Sequence, residues 1–403
     1  MAILLAVISA VCPIIGLPLT LILFKDKKYD KICALLCGLA FAALLYGYKA
    51  DSGNDIYRHI ANLEYYRHVS FFRCFDAGAL DNLYTWDIWQ WIVARFSDAN
   101  LLQASGAFVG YTLASYLVFN YAKRNSLTGK KWMAALILMY SVLSPLGMAV
   151  GIRNSNAFVI MAYAIYRYYG EHGKWYTSAC ICLIAILLHH SALLVVVLWI
   201  VLPFFKRHRI VCGILIAFST FSFNNYGFYL SLLSGSNSTL SGLLADTMNS
   251  AVAYQTTSLM SFHNRFSILV GVCVCVLMLV RSERPYSYLM ANKRNDSVSC
   301  AESMWNISLM NFITAICLLF QIGVNGSRYV GFSTQLLFVP LLVSMGKISF
   351  MRNKRYFILD SALLISIIGS AVLQIYDLAW GSASISSLFA GFILGFFNRN
   401  LFI

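Results

Sequence analysis

The sequence predicts an all-α fold, a polytopic integral membrane protein in one domain over residues 1–403, with about 13 helices that cross or partly cross the bilayer. Three observations carry this. Hydrophobic residues make up 60% of the chain and charged residues only 11%, too apolar a balance for a soluble domain with an ordinary polar surface. Apolar runs follow one another from end to end. The basic residues gather in short clusters between them, on alternate sides, so the formal charge of +14 reads as a topology signal and not as a nucleic-acid surface.

A span takes about 20 apolar residues. Runs of that order lie at 2–24, 32–48, 101–121, 132–150, 303–322, 329–346 and 357–376, and shorter ones at 157–169, 175–188, 191–205, 210–223, 266–280 and 382–397. The first is expected to be a retained span, because no basic residue precedes it and Lys25, Lys27, Lys28 and Lys31 follow it. If every run crosses, 22 of the 30 basic residues fall on the inner side and the N-terminus faces outward. Residues 175–205 are too long for one upright helix and too short for two full spans. Two short helices meeting at His189-His190 fit, with the turn sunk below the outer surface where only buried or cavity-lining backbone is tolerated.

Residues 49–100 and 224–265 form the long outer segments, and 281–302 the sizeable inner loop. The Trp/Tyr-rich stretch from Tyr84 to Trp91 reads as an interfacial amphipathic helix. The 11 cysteines show no zinc-ligand spacing and read as packing residues.

The eight basic residues left outside are Lys49, Arg58, Arg67, Arg73, Arg95, Arg153, Arg265 and Arg328. Arginine's planar fork matches phosphate oxygens and keeps its charge when desolvated, so this bias suits a buried polyanion. Arg153, Arg265 and Arg328 each open a descending span; the plainer alternative is snorkelling to head groups. His189 or His190 suits a general base or an anion contact, and at most one of the two is expected to face the cavity, because neighbours on a helix point about 100° apart. Asp55 and Glu64 are alternative bases. Asn325-Gly326-Ser327-Arg328-Tyr329 reads as a tight turn feeding a span. No phosphate-binding glycine loop, DxD-like pair, nucleophile elbow or His/Glu zinc motif occurs, so the chemistry expected is metal-independent and on the outer face.

Four short motifs run in order along the chain: Asp55-Ile56-Tyr57 after the second span, Gly151-Ile152-Arg153 opening onto Ala157, His189-His190-Ser191-Ala192 before an apolar helix, and Arg328-Tyr329 leading to Pro340. In these the chain resembles the Wzy-type polysaccharide polymerases, in particular the EpsG-like branch. Asn154 stands where glutamine is more usual in that pattern. The resemblance implies a GT-C-like glycosyltransferase of the bacterial inner membrane. It would act on polyprenyl-diphosphate-linked oligosaccharides at the outer face and build O-antigen, capsule or exopolysaccharide. It further implies that Arg153, Arg265 and Arg328 hold the diphosphate and that His189 is the base or a second phosphate contact. Tyr57 and Tyr329 enter as neighbours of these motifs. No added cofactor is needed, and a flippase and a chain-length regulator are the implied partners. The readings that compete are a lipid-linked-oligosaccharide flippase, an O-antigen ligase and a membrane acyltransferase. A flippase would want arginines on both sides of a through-passage and a symmetric repeat, neither of which is visible.

Overall fold

A computed structural model describes residues 2–48, 55–77, 83–223, 262–290, 296–319, 323–347, 354–381 and 393. All regular structure among them is helical. Two helices are long and apolar enough to cross a membrane unaided, Leu101–Arg124 and the Ser299–Leu319 stretch. The expected segment 382–397 falls, but for residue 393, outside the described residues.

The expected single span over 2–24 is instead two helices, α1 (Ala2–Val11) and α2 (Pro13–Leu23), broken at Cys12. Pro13 has no amide hydrogen to extend α1 but suits the first turn of α2. The chain folds back so tightly that a Cβ on Gly16 would sit 2.5 Å from the Ser9 Cα. Each arm is about 15 Å long, half a bilayer core. The hairpin returns residue 23 toward the side of residue 2, which removes the ground for an N-terminus opposite the lysine cluster at 25–31.

The core is built on α3 (Asp30–Tyr46) and α7 (Leu101–Arg124), packed along most of their length. Ala34, Gly38 and Ala42 repeat at four-residue intervals and are buried, so the two backbones approach closely. A Cβ on Gly38 would lie 2.7 Å from the Phe108 carbonyl oxygen. Further along, Phe41 stacks on Tyr111 with ring centroids 3.7 Å apart. Next come α8 (Gly129–Val142) and the short α9 (Pro145–Ala149), separated because the residue before a proline disfavours helix. The Tyr111 hydroxyl donates to the Leu143 carbonyl freed at that break, at 2.8 Å.

Then follow α10 (Ile152–Tyr169), α11 (Trp175–Leu188), α12 (Ser191–Arg207) and α13 (Arg209–Phe223). The gap between α11 and α12 is His189-His190, as the two apolar runs predict. The last helices are α14 (Phe262–Met290), α15 (Asp296–Leu319), α16 (Gly323–Leu336), α17 (Phe338–Lys347) and α18 (Lys354–Gly381). Two expectations change here. Residues 281–290 and 296–302 of the expected inner loop are helical, α14 continuing past its apolar run and α15 starting before its own. The stretch 325–329 is not a tight turn but lies inside α16, where one glycine costs only about 1 kcal/mol against the packing of Tyr329 and Phe332 on Phe158.

Buried polar side chains join these helices. Asn311 of α15 donates to the Tyr329 carbonyl and to Ser333 Oγ of α16, both at 2.7 Å. Asp360, the acid within an expected span, accepts from Arg281 Nε at 2.6 Å, which pins α18 to α14. On the exterior, Ile200, Ile214, Phe218 and Ile365 are exposed, giving α12, α13 and α18 the apolar outer surface of a protein that faces lipid.

The two ends of α10 differ. Near its C-terminus, Lys123 pairs with Asp30 at 2.7 Å, Asn120 bridges Asp30 and Tyr166, and Arg167 faces Glu171, around a cavity of about 560 Å³. Its N-terminus, about 21 Å away at 1.5 Å per residue, carries Arg153.

Candidate functional site

The expected outer segment folds into α4 (Asp55–His68), α5 (Cys74–Ala77) and α6 (Tyr84–Ala94). Buried Gln103 reaches the carbonyls of Leu45, Tyr46 and Tyr48 where the chain leaves α3, and so fixes the point of departure toward α4. Residues 49–54, including Lys49, are outside the described residues. α4 and α6 are locked together by Tyr66 donating to Asp87 Oδ1 at 2.8 Å, Gln90 to the His59 carbonyl at 3.1 Å and Trp91 to the Val69 carbonyl at 3.2 Å. The aromatic helix expected over 84–91 is therefore present, and its Trp86-Asp87-Gln90 face is buried within the protein.

Trp86 is the joint between this segment and the helix core. The His59 ring meets it edge-on at 4.8 Å, and the Arg153 guanidinium lies over it at 5.9 Å from the ring centroid. Arg153 is the second residue of α10, where the local helix dipole favours anions. Burial, reinforced by the Arg153 charge, pushes the His59 imidazole down to about 3, so it is neutral at pH 7.

The second half of the site is the α11–α12 turn. His189 Nδ1 lies 2.7 Å from Ser191 Oγ and accepts from the Ser191 amide at 3.2 Å. Ser191 Oγ in turn reaches Asn154 Oδ1 at 2.8 Å, which ties the turn to α10 next to Arg153. Tyr329 of α16 donates to the Ser191 carbonyl at 3.1 Å. That bond draws in Arg328, which together with Arg153 acts electrostatically on His189. Residues 153, 189, 328 and 329, far apart in sequence, thus meet at one end of the helix assembly.

Residues 31–383, most of the chain, match the model of a family described as the EpsG family. The chain belongs to the EpsG family. No curated protein and no solved structure matches it. Family membership and the apolar helices make this a membrane protein and tie it to polysaccharide-polymerase-like, glycosyltransferase-like function.

Within this EpsG-family chain the other sequence-predicted residues take varied places. Asp55 opens α4 four residues before His59 and pairs with Arg58 at 2.9 Å. Glu64 points to its own helix neighbours, His68 at 3.0 Å and Arg67 at 2.8 Å; their hydrogen bonds lower its pKa and make it a weaker base. Tyr57 is exposed on α4, and His190 is exposed at the N-cap of α12. Arg265 lies in the first turn of α14, with its side chain outside the described residues, as are residues 224–261. His59, Trp86, Asn154 and Ser191 complete the site without having been marked as site residues by sequence. Asn154 and Ser191 flank the marked Arg153 and His189, the one signal that could have found them. Among the described residues no cluster of His, Cys, Asp and Glu is arranged to hold a metal.

Proposed function

We propose that the chain is a multi-pass polysaccharide polymerase of the bacterial cell membrane that joins polyprenyl-diphosphate-linked oligosaccharide repeat units at the outer face. The observation that carries this is that Asn154 and Tyr329, the chain neighbours of Arg153 and Arg328, both hydrogen-bond to Ser191 of the His189 turn, at the end of α10 opposite the Lys123-Arg167 network. A cationic cluster of this kind, built on arginine with Trp86 beside Arg153 and Tyr329 beside Ser191, suits a lipid diphosphate.

In the proposed reaction the sugar hydroxyl of the incoming repeat attacks the anomeric carbon of the growing chain. The bond from that carbon to the phosphate oxygen breaks, and its electron pair leaves on the polyprenyl diphosphate. Arg153 and Arg328, with Arg265 as a third candidate, hold the phosphate oxygens and stabilise the charge that develops there. The hydroxyl proton goes to a base, for which Asp55 and His189 are the candidates. The incoming diphosphate remains on the elongated product, so no cofactor enters.

Lipid-linked glycans from cells lacking the gene, and from cells carrying Arg153→Ala at verified expression, test the reading. Surface glycan capped at a single repeat unit in both supports it. Repeat units that accumulate on the inner face with none exported would support a flippase and overturn it.

A further inference from the structure

The end of α10 opposite Arg153 carries a second concentration of charge, which the proposed reaction does not use. Clusters of lysine and arginine gather there, and the positive-inside bias assigns that end to the inner surface of the membrane. The cavity of about 560 Å³ between α3, α7 and α10 lies at this end, and its volume is ordinary for a small-molecule site, roughly 300–1,000 Å³. Lys31, Lys123, Arg124 and Arg167 line it against Asp30 and Glu171, so positive charge is in excess. Both carboxylates are committed. Asp30 takes Lys123 at 2.7 Å and Asn120 at 3.0 Å, while Glu171 accepts from Tyr116 and faces Arg167 at 3.5 Å.

Donors are left over. Lys31 is exposed, and Arg124 gives one N–H to the Gly170 carbonyl at 2.9 Å and keeps its others. Arg167 Nε is buried and meets no hydrogen-bond partner among the described residues. Its stem is clamped, since a Cβ on Gly173 would lie 2.9 Å from Arg167 Cγ. A buried N–H without an acceptor is costly, so the lining suits an anion rich in acceptors. Two observations favour a lipid over a soluble anion. The charged groups sit at one end only: the lining continues along α7 from Lys123 back to uncharged Leu113, about 15 Å toward the middle of the helix. On α3, exposed Leu35 stands one turn beyond Lys31, so charge gives way to apolar surface as from head group to acyl chain. At the rim, Gly173 is followed by exposed Lys174, Trp175 and Tyr176, with Lys174 over the Tyr176 ring at 5.6 Å, an interfacial belt at head-group depth.

We propose that this cavity binds an anionic glycerophospholipid of the inner leaflet, its phosphate held by Lys31, Arg124 and Arg167 and an acyl chain running past Leu35 and Leu113. Asp30 and Glu171 hold Lys123 and Arg167 in place. The site lies at the opposite end of α10 from the proposed reaction and does not depend on it.

The test is native mass spectrometry of the purified full chain, delipidated in detergent and titrated with dioleoylphosphatidylglycerol, dioleoylphosphatidylethanolamine or glycerol phosphate. The first phosphatidylglycerol should be held at least about tenfold more tightly than the zwitterionic lipid, and glycerol phosphate should not displace it. Arg124→Gln and Arg167→Gln should each weaken it by about tenfold or more, the worth of a charge-assisted hydrogen bond, while Arg153→Ala binds as wild type does. Arg124 is exposed, so Arg124→Gln decides the matter should Arg167→Gln not fold. Equal retention of the two lipids, unchanged binding in Arg124→Gln, or loss of the lipid in Arg153→Ala overturns the proposal. Displacement by glycerol phosphate overturns it in favour of a soluble phosphate ester. Binding is read without turnover, so a chain that holds the lipid and joins no repeat units refutes the polymerase reading alone.

Discussion

Replacing Arg153 by lysine separates diphosphate binding from simple anchoring at a head-group surface. A snorkelling side chain needs only a long stem and a positive tip, and lysine supplies both. A guanidinium that grips two phosphate oxygens while lying over Trp86 supplies more. Lysine keeps the charge but loses one charge-assisted hydrogen bond, about 1.5–3 kcal/mol, and most of the contact over the Trp86 ring, about 0.5–1 kcal/mol at the 5.9 Å seen here. The sum, about 2–4 kcal/mol, corresponds to a rate lower by about 30- to 1000-fold. The assay is the rate of repeat-unit joining by protein reconstituted in liposomes, with folding checked by melting temperature. A lysine variant within threefold of wild type would refute the reasoning and leave Arg153 as an anchor.

Two further outcomes follow from the packing. The His59 imidazole takes up its proton near its ordinary 6.5 in the unfolded chain but only near 3 in the fold, so stability is full above pH 6.5 and falls as the pH drops toward 3. The loss is about 1.4 kcal/mol per pH unit; a thermal melt in detergent should therefore weaken between pH 7 and pH 5 in wild type, and His59→Phe should remove that pH-dependent part. At the α3–α7 contact, a Cβ at residue 38 would lie 1.9 Å from Thr112 Oγ1 and 2.7 Å from the Phe108 carbonyl. Gly38→Ala should lower the melting temperature by the equivalent of about 1–3 kcal/mol, and Thr112→Ala should restore only part of it, since the Phe108 backbone cannot turn aside; an unchanged melt would contradict the packing described.

Much of this fold is legible in the sequence because apolar length and composition report helices directly. The paired histidines between two short apolar runs announce the α11–α12 turn, whereas 132–150 reads as one run and the break before Pro145 that divides α8 from α9 appears only in the structure. What hydropathy does not report is backbone continuity. Residues 2–24 read as one span, yet Pro13 and Gly16 make a hairpin of them; residues 325–329 read as a turn, yet they continue α16. The site divides along the same line. Arg153, His189 and Arg328 stand out because cations beside apolar runs are costly and therefore conspicuous. His59, Trp86 and Asn154 do not, because their part depends on which face of α4, α6 and α10 turns inward, and on the docking of α4–α6 against α10. Glu64, equally conspicuous as a carboxylate, is taken up by Arg67 and His68 on its own helix.

The most direct test of the central claim uses the purified chain alone, reconstituted with a single polyprenyl-diphosphate-linked repeat unit and no other protein. The account predicts a ladder of products two, three and more repeats long, with one polyprenyl diphosphate released per bond formed and the ladder lost in Arg153→Ala. Movement of the intact repeat unit across the bilayer with no new glycosidic bond would contradict it.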